Sequence, residues 1–172
     1  MNKTIVTRRP TNSTFALVTS MMILLAVAMS GAAQTRSKSV SSTDKKVIAQ
    51  LYAAWSSSDP DKVANLFTEN AVYEDVTAAH VSRGKAEVRK WAAGGFGVFE
   101  NFKMEVSSIF VQNGRGVAEW VWSATDKKLN KSFSLRGVSI IELRGGKIAS
   151  CRDYYDFLGA MRQLGLVPPD KE

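Results

Sequence analysis

From Asn101 to Tyr155 the apolar residues of this chain recur at every second position. The run is cut by three turn signals: Asn113-Gly114, the polar stretch Asp126–Asn130, and Arg144-Gly145-Gly146-Lys147. A period of two sends alternate side chains to opposite faces of a strand, and Asn-Gly between two such runs marks a hairpin. The pattern predicts strands over Phe102–Gln112, Gly116–Thr125, Ser132–Leu143 and Ile148–Tyr155. A meander of that length has one apolar face, which the rest of the chain must cover.

The covering segments are read from a different period. Val47, Ile48, Leu51, Tyr52 and Trp55 fall on one face of a helix that Ser42 or Thr43 can cap. Asp59-Pro60 restarts a helix with Val63, Leu66 and Phe67 inward and Thr68-Glu69-Asn70 as its end. Ala71–Val76 alternates as a short strand, and Thr77–Gly84 reads as an exposed loop holding His80, the single histidine. Gly84 opens a third helix, with Val88, Trp91 and Ala92 on one side. The run Gly94-Gly95-Phe96-Gly97 is expected to end it or bend it sharply. Asp156 can cap a last short helix that Gly165 closes. The fold class is therefore α+β: a curved antiparallel sheet wrapped around N-terminal helices, a cone with an open mouth where ligands commonly bind.

Residues 1–33 stand apart. Lys3, Arg8 and Arg9 precede an apolar run from Phe15 to Met29, and small residues around Ser30–Ala33 suit a cleavage site. That is the pattern of a secretory signal peptide, which implies export to the periplasm or the exterior. The alternative is an uncleaved anchor, for which the run is short of the about 20 residues a spanning helix needs. Residues 34–42 read as a flexible linker, 43–167 as the domain, and 168–172 as a tail. Of the net charge of +7, three charges lie in residues 1–33 and two, Arg36 and Lys38, in the linker, leaving +2 from residue 43 onward. This is no clustered basic face, so no nucleic-acid partner is expected. After signal cleavage no membrane association is expected either. One cysteine, Cys151, and one histidine leave no internal disulfide and no metal-ligand spacing.

The words Trp55-x-x-x-Asp59, Leu66-Phe67, Ala71-Val72-Tyr73-Glu74-Asp75, Gly84-Lys85-Ala86-Glu87-Val88, and Gly146-Lys147-Ile148 followed by Arg152-Asp153-Tyr154-Tyr155-Asp156 come in one order. Over roughly residues 43–165 they resemble the nuclear transport factor 2-like (cystatin-like) superfamily, especially its SnoaL-like branch. The resemblance implies the cone fold, a homodimer and no cofactor. Its fold hosts enzymes, transport factors and plain binders, so it implies no single activity. Limonene-1,2-epoxide hydrolases are similar in the last strand. Their pocket aspartate falls on Asp153 and their water-positioning Tyr and Asn on Tyr73 and Asp75, but their Arg and second Asp fall on Trp120 and Trp122. Ketosteroid isomerases are similar in the Tyr73–Asp75 segment. Their base falls on Asp75, while their oxyanion-hole groups fall at Leu51, next to Tyr52, and near Ser139.

Strand parity then groups the candidates. Asp153 shares a face with Cys151 and Tyr155, and Trp120 shares one with Trp122 and Ala118. We expect Asp75, Asp153 and Tyr73 as catalytic residues, with Asp75 the base and Asp153 its partner, the two carboxyls sharing a proton. Trp120, Trp122, Cys151, Tyr155, Trp55 and Phe96 are expected to contact the ligand, a small apolar molecule. Each has a structural reading beside this. Asp153 could pair with Arg152 or a backbone amide, Asp75 could be a turn or cap residue, and the tryptophans could be core. A lone buried cysteine is more commonly a small hydrophobe than a nucleophile.

Overall fold

The computed structural model describes residues 42–168, so the expected signal peptide, most of the linker and most of the tail lie outside the described residues. Helix α1 spans residues 42–56 and buries Val47, Ile48, Leu51, Tyr52 and Trp55, the stripe its period implies. Its last turn is fixed to the sheet by Ser56, whose Oγ accepts the Met104 N–H at 2.8 Å. Helix α2 is Pro60–Asn65, capped by Asp59 Oδ1 on the amides of Asp61 and Lys62 at 3.0 and 3.1 Å. It ends earlier than the apolar pattern suggests. From Phe67 the chain is already extended and pairs with Ile148, and the Leu66 carbonyl takes the Ile148 N–H.

Strands follow as β1 (Phe67–Asp75) and β2 (His80–Arg83), then helix α3 (Lys85–Val98), β3 (Phe99–Gln112), β4 (Arg115–Asp126), β5 (Lys131–Arg144), β6 (Lys147–Tyr155) and α4 (Phe157–Leu164). They form one sheet in the order β2-β1-β6-β5-β4-β3. The β3–β6 part is the antiparallel meander that the turn signals predict. The β1–β6 pair is parallel. Register shifts in β3/β4, β5/β6 and β1/β6 mark bulges, which bend strands and raise local twist. The sheet is curved and unclosed, with α1 and α3 contributing to one core together with its inner face.

Two segments differ from their sequence reading. Residues 80–83 are a strand, not a loop, because β2 turns back on β1 and pairs with it from Asp75↔His80 to Val72↔Arg83. The Gly94–Gly97 run does not stop α3, which continues to Val98. Packing outweighs propensity there: Trp91 and Phe96 lie against the core, and the Lys127 ammonium satisfies the terminal carbonyls of Phe96 and Gly97 at 2.7 and 3.2 Å.

A Cβ added at Gly94 meets nothing within 4 Å. Gly94→Ala is therefore expected to raise unfolding free energy by about 0.5–1 kcal/mol, through lower backbone entropy in the unfolded chain. Urea melts of the two proteins check this, and an unchanged or lower midpoint contradicts it.

Candidate functional site

The inner face of the curved sheet, α1 and α3 line a cavity of about 640 Å³, with the exposed Val98 and Phe157 among its lining residues. Most of its wall is aromatic: Tyr52 and Trp55 from α1, Trp91 from α3, Phe99 and Phe102 from β3, Trp120 and Trp122 from β4, and Tyr155 from β6. These rings brace one another. Phe102 lies between Trp55 and Trp122 in near-parallel stacks at 5.8 and 5.0 Å, and Phe99 and Phe133 meet Trp122 edge-on. Such contacts add about 0.5–1.5 kcal/mol each beyond area burial.

Beside the exposed Glu87 and Lys90 of α3, two carboxylates on the sheet, Asp75 and Asp153, break the apolar wall, and the parallel pairing of β1 with β6 sets both. Tyr73 and Asp75 are the register partners of Cys151 and Asp153. The hydroxyls cross between strands. Tyr73 donates to Asp153 Oδ2 at 2.8 Å, and Tyr155 donates to Asp75 Oδ2 at 2.9 Å. Asp153 Oδ1 takes a second hydroxyl, from Ser139 of β5, at 2.6 Å, and the Cys151 thiol at 3.4 Å. Ser139 in turn accepts the Trp120 Nε1–H at 2.8 Å. Asp75 Oδ1 accepts the backbone N–H of Ala78 at 2.9 Å, so this carboxylate also closes the turn between β1 and β2.

Both carboxyls are pushed up from the ordinary aspartate range, Asp153 to about 6. Burial is the main cause in each. The donors on Asp153 (Ser139, Tyr73, Cys151) pull it back, and the Asp75 charge adds a smaller upward push. Burial also holds the Tyr73, Tyr155 and Tyr52 hydroxyls and the Cys151 thiol protonated, and Tyr73, Tyr155 and Cys151 donate to the two carboxylates. The Tyr52 hydroxyl is buried beside this group without a hydrogen-bond partner.

The structure brings Asp75, Asp153, Tyr73, Trp120, Trp122, Tyr155 and Trp55 to the cavity wall. Cys151 and Phe96, expected to contact a ligand, stand behind it. Cys151 is fully buried, and Phe96 packs edge-on against Trp55 and Phe102. His80 corrects its sequence reading as an exposed loop residue. It is half-buried on β2 and lines the cavity, with its ring stacked on Trp91 at 3.7 Å and Nε2 3.0 Å from Ser82 Oγ. Sequence reasoning also missed Ser139 as the partner of Asp153. The signal available was parity, since Ser139 is a polar residue on the otherwise apolar inward phase of β5, among Phe133, Leu135, Ile141 and Leu143.

A profile of the SnoaL-like domain matches residues 48–151, from α1 into β6, and stops just before Asp153 and Tyr155. The chain belongs to the SnoaL-like domain family. Many solved structures share its fold. One is a protein of ketosteroid isomerase-like fold from Catenulispora acidiphila in complex with trimethylamine. It is 22% identical, over 71% of this chain and 93% of that one, with a TM-score of 0.68. A limonene-epoxide-hydrolase-like epoxide hydrolase from Mycobacterium tuberculosis is 21% identical, over 73% and 92%, with a TM-score of 0.61. A protein classed as a SnoaL-like polyketide cyclase from Shewanella denitrificans is 13% identical, over 72% and 98%, with a TM-score of 0.62. At these identities the likeness is one of fold. Within this SnoaL-like chain Trp120 spends its one polar hydrogen on Ser139.

Two predictions follow from this geometry. A carboxyl whose folded pKa is raised to about 6 binds protons more tightly folded than unfolded, so its favourable contribution is complete below about pH 4 and is lost as pH rises through 6. Asp153→Asn should flatten that decline and be more stable than wild type at pH 8 by about 1–3 kcal/mol. Urea melts at pH 4, 6 and 8 decide it. Separately, a Cβ at Gly137, the β5 partner of Trp120, would overlap the six-membered ring of that indole. Gly137→Ala should cost about 1–3 kcal/mol by forcing the ring off its place. It should also change the near-ultraviolet circular dichroism of the tryptophans, and an unchanged spectrum and melting point would refute the contact.

Proposed function

We propose that this SnoaL-like protein is an exported, cofactor-free acid/base enzyme for a small apolar molecule, performing an isomerisation, cyclisation or hydrolysis. The observation that carries the reading is Asp153: a carboxyl in the wall of an aromatic cavity, held near pH 6 by burial against three donors. A group so placed is mostly ionised at neutral pH yet can hold a proton, which suits abstraction and return of a proton at carbon. Tyr73 and Ser139 stabilise the ionised form and aim its oxygens. In this reading Asp75, tied to the Ala78 amide and Tyr155, is the supporting carboxyl, and Asp153 takes the base role that the sequence context assigns to Asp75. The apolar wall would exclude water and bind the substrate by area. Epoxide hydrolysis by an Arg–Asp relay is disfavoured, since Trp120 and Trp122 offer no proton-transferring group.

A second reading, a non-catalytic binder of apolar molecules, is favoured by those same two tryptophans. Export rests on the basic start and apolar run of residues 1–33, and a homodimer on the outer sheet face. There, Phe110, Val117 and Ile140 stand in register across β3, β4 and β5, all exposed.

The test is a thermal-shift screen with apolar ketones, lactones, epoxides, terpenes and arenes, followed by product analysis on every stabilising compound. The expected result is a converted ligand whose turnover drops by about 100-fold or more in Asp153→Asn. Stabilisation with unchanged recovery of every ligand, in wild type and variant alike, would make the protein a binder.

A further inference from the structure

Ser139 is completely buried, and its hydroxyl lies between two groups of opposite character. On one side the Trp120 Nε1 is 2.8 Å away; on the other, Asp153 Oδ1 is 2.6 Å away. An indole N–H can only donate, and a hydroxyl has one hydrogen and two lone pairs. Ser139 must therefore accept on the Trp120 side, which leaves its single hydrogen for the carboxylate. The direction of the chain is fixed: N–H to O–H to carboxylate. Nor can the indole readily turn away. It is 3% exposed, its ring lies over Gly137 with no room for a Cβ between them, and Tyr52 and Tyr155 flank it at 6.4 and 6.1 Å.

We propose that Trp120 is a positioning residue for Asp153: through Ser139 it holds a hydroxyl as an obligate donor to the carboxylate and so strengthens the ionised form. Donors in series polarise one another, and the effect grows where water is excluded. The titratable groups that face Asp153 are Tyr73 and Asp75 from β1, Tyr52 from α1, and Cys151 and Tyr155 from β6. Tyr52, Tyr73, Tyr155 and Cys151 stay protonated, and the Asp75 charge opposes ionisation. Trp120 and Ser139 thus work against burial from the β4–β5 side as Tyr73 does from β1. The catalytic consequence rests on the acid/base reading given above; the positioning itself does not, and can be measured without turnover.

The measurement is a carbon-13 NMR titration of the aspartate side-chain carboxyls in the full chain, for wild type, Trp120→Phe, Ser139→Ala and the double variant. Trp120→Phe is expected to move the Asp153 midpoint up by about 0.5 pH unit or more, and Ser139→Ala further, because each removes stabilisation of the charged form. In the Ser139→Ala background the Trp120 change should add nothing, which a purely structural role of the indole would not produce. Benzothienylalanine at position 120 keeps the ring shape and replaces the N–H by sulfur. It carries the test if Trp120→Phe folds poorly. A midpoint unmoved by loss of the N–H overturns the inference, as does an equal shift with and without Ser139. The expected shifts in a protein that converts no compound of the screen would leave the inference standing and remove the enzymatic reading.

Discussion

The parallel pairing of β1 with β6 is the constraint on which the site depends. It is the parallel contact in a sheet whose other described pairings are antiparallel. A parallel ladder needs a long crossover, and here the crossover is everything from β2 to β5. Closing it sets Tyr73 against Cys151 and Asp75 against Asp153, so each tyrosine reaches the carboxylate of the other strand. A shift of one residue would turn Asp153, Cys151 and Tyr155 to the outer face together. Register is held by contacts away from the carboxylates: the buried pair Phe67 and Ile148 at one end, and the Asp153 carbonyl accepting the Val76 N–H at the other.

Much of this was legible in the sequence. The meander, the buried stripe of α1 and the inward phase of β6 follow from periods of two and 3.6, which report faces directly. Asp75, Asp153 and Tyr73 were visible as polar residues on inward positions of apolar strands. What was hidden depends on distance in the chain. His80 reads as loop because four residues between Ala79 and Gly84 carry too little pattern to declare a strand, and β1 supplies the partner that makes them one. The glycine run in α3 reads as a break because local propensity knows nothing of Lys127, 30 residues later, waiting for its carbonyls. The bond between Ser139 and Asp153 joins neighbouring strands in register, and no spacing rule names which serine will sit there.

Stability in such a molecule must come from packing. The lone Cys151 is buried and spent as a donor to Asp153. A cavity of about 640 Å³ is a large volume for a domain to leave unfilled. The stacked and edge-on rings of Trp55, Phe102, Trp122, Phe99 and Phe133 form a framework that spans α1, β3, β4 and β5 and keeps the wall from collapsing inward. The polar end is costly in the opposite sense, since two buried carboxyls oppose folding at neutral pH. A fold that retains them gives up stability at neutral pH, a cost that functional sites commonly carry.

Gly137 and Trp120 form one steric unit, and that limits how the pocket can be remodelled over mutational time. While the indole occupies its place, position 137 tolerates no side chain, so the floor of the cavity cannot be reshaped from β5. Shrinking Trp120 first would release position 137 to any small residue, but would also strip Ser139 of its donor. On the inference drawn above, deepening the pocket by that route passes through an intermediate whose carboxyl is harder to ionise. Along that route cavity size and proton affinity change together, and a small residue at position 120 removes the steric demand for glycine at position 137.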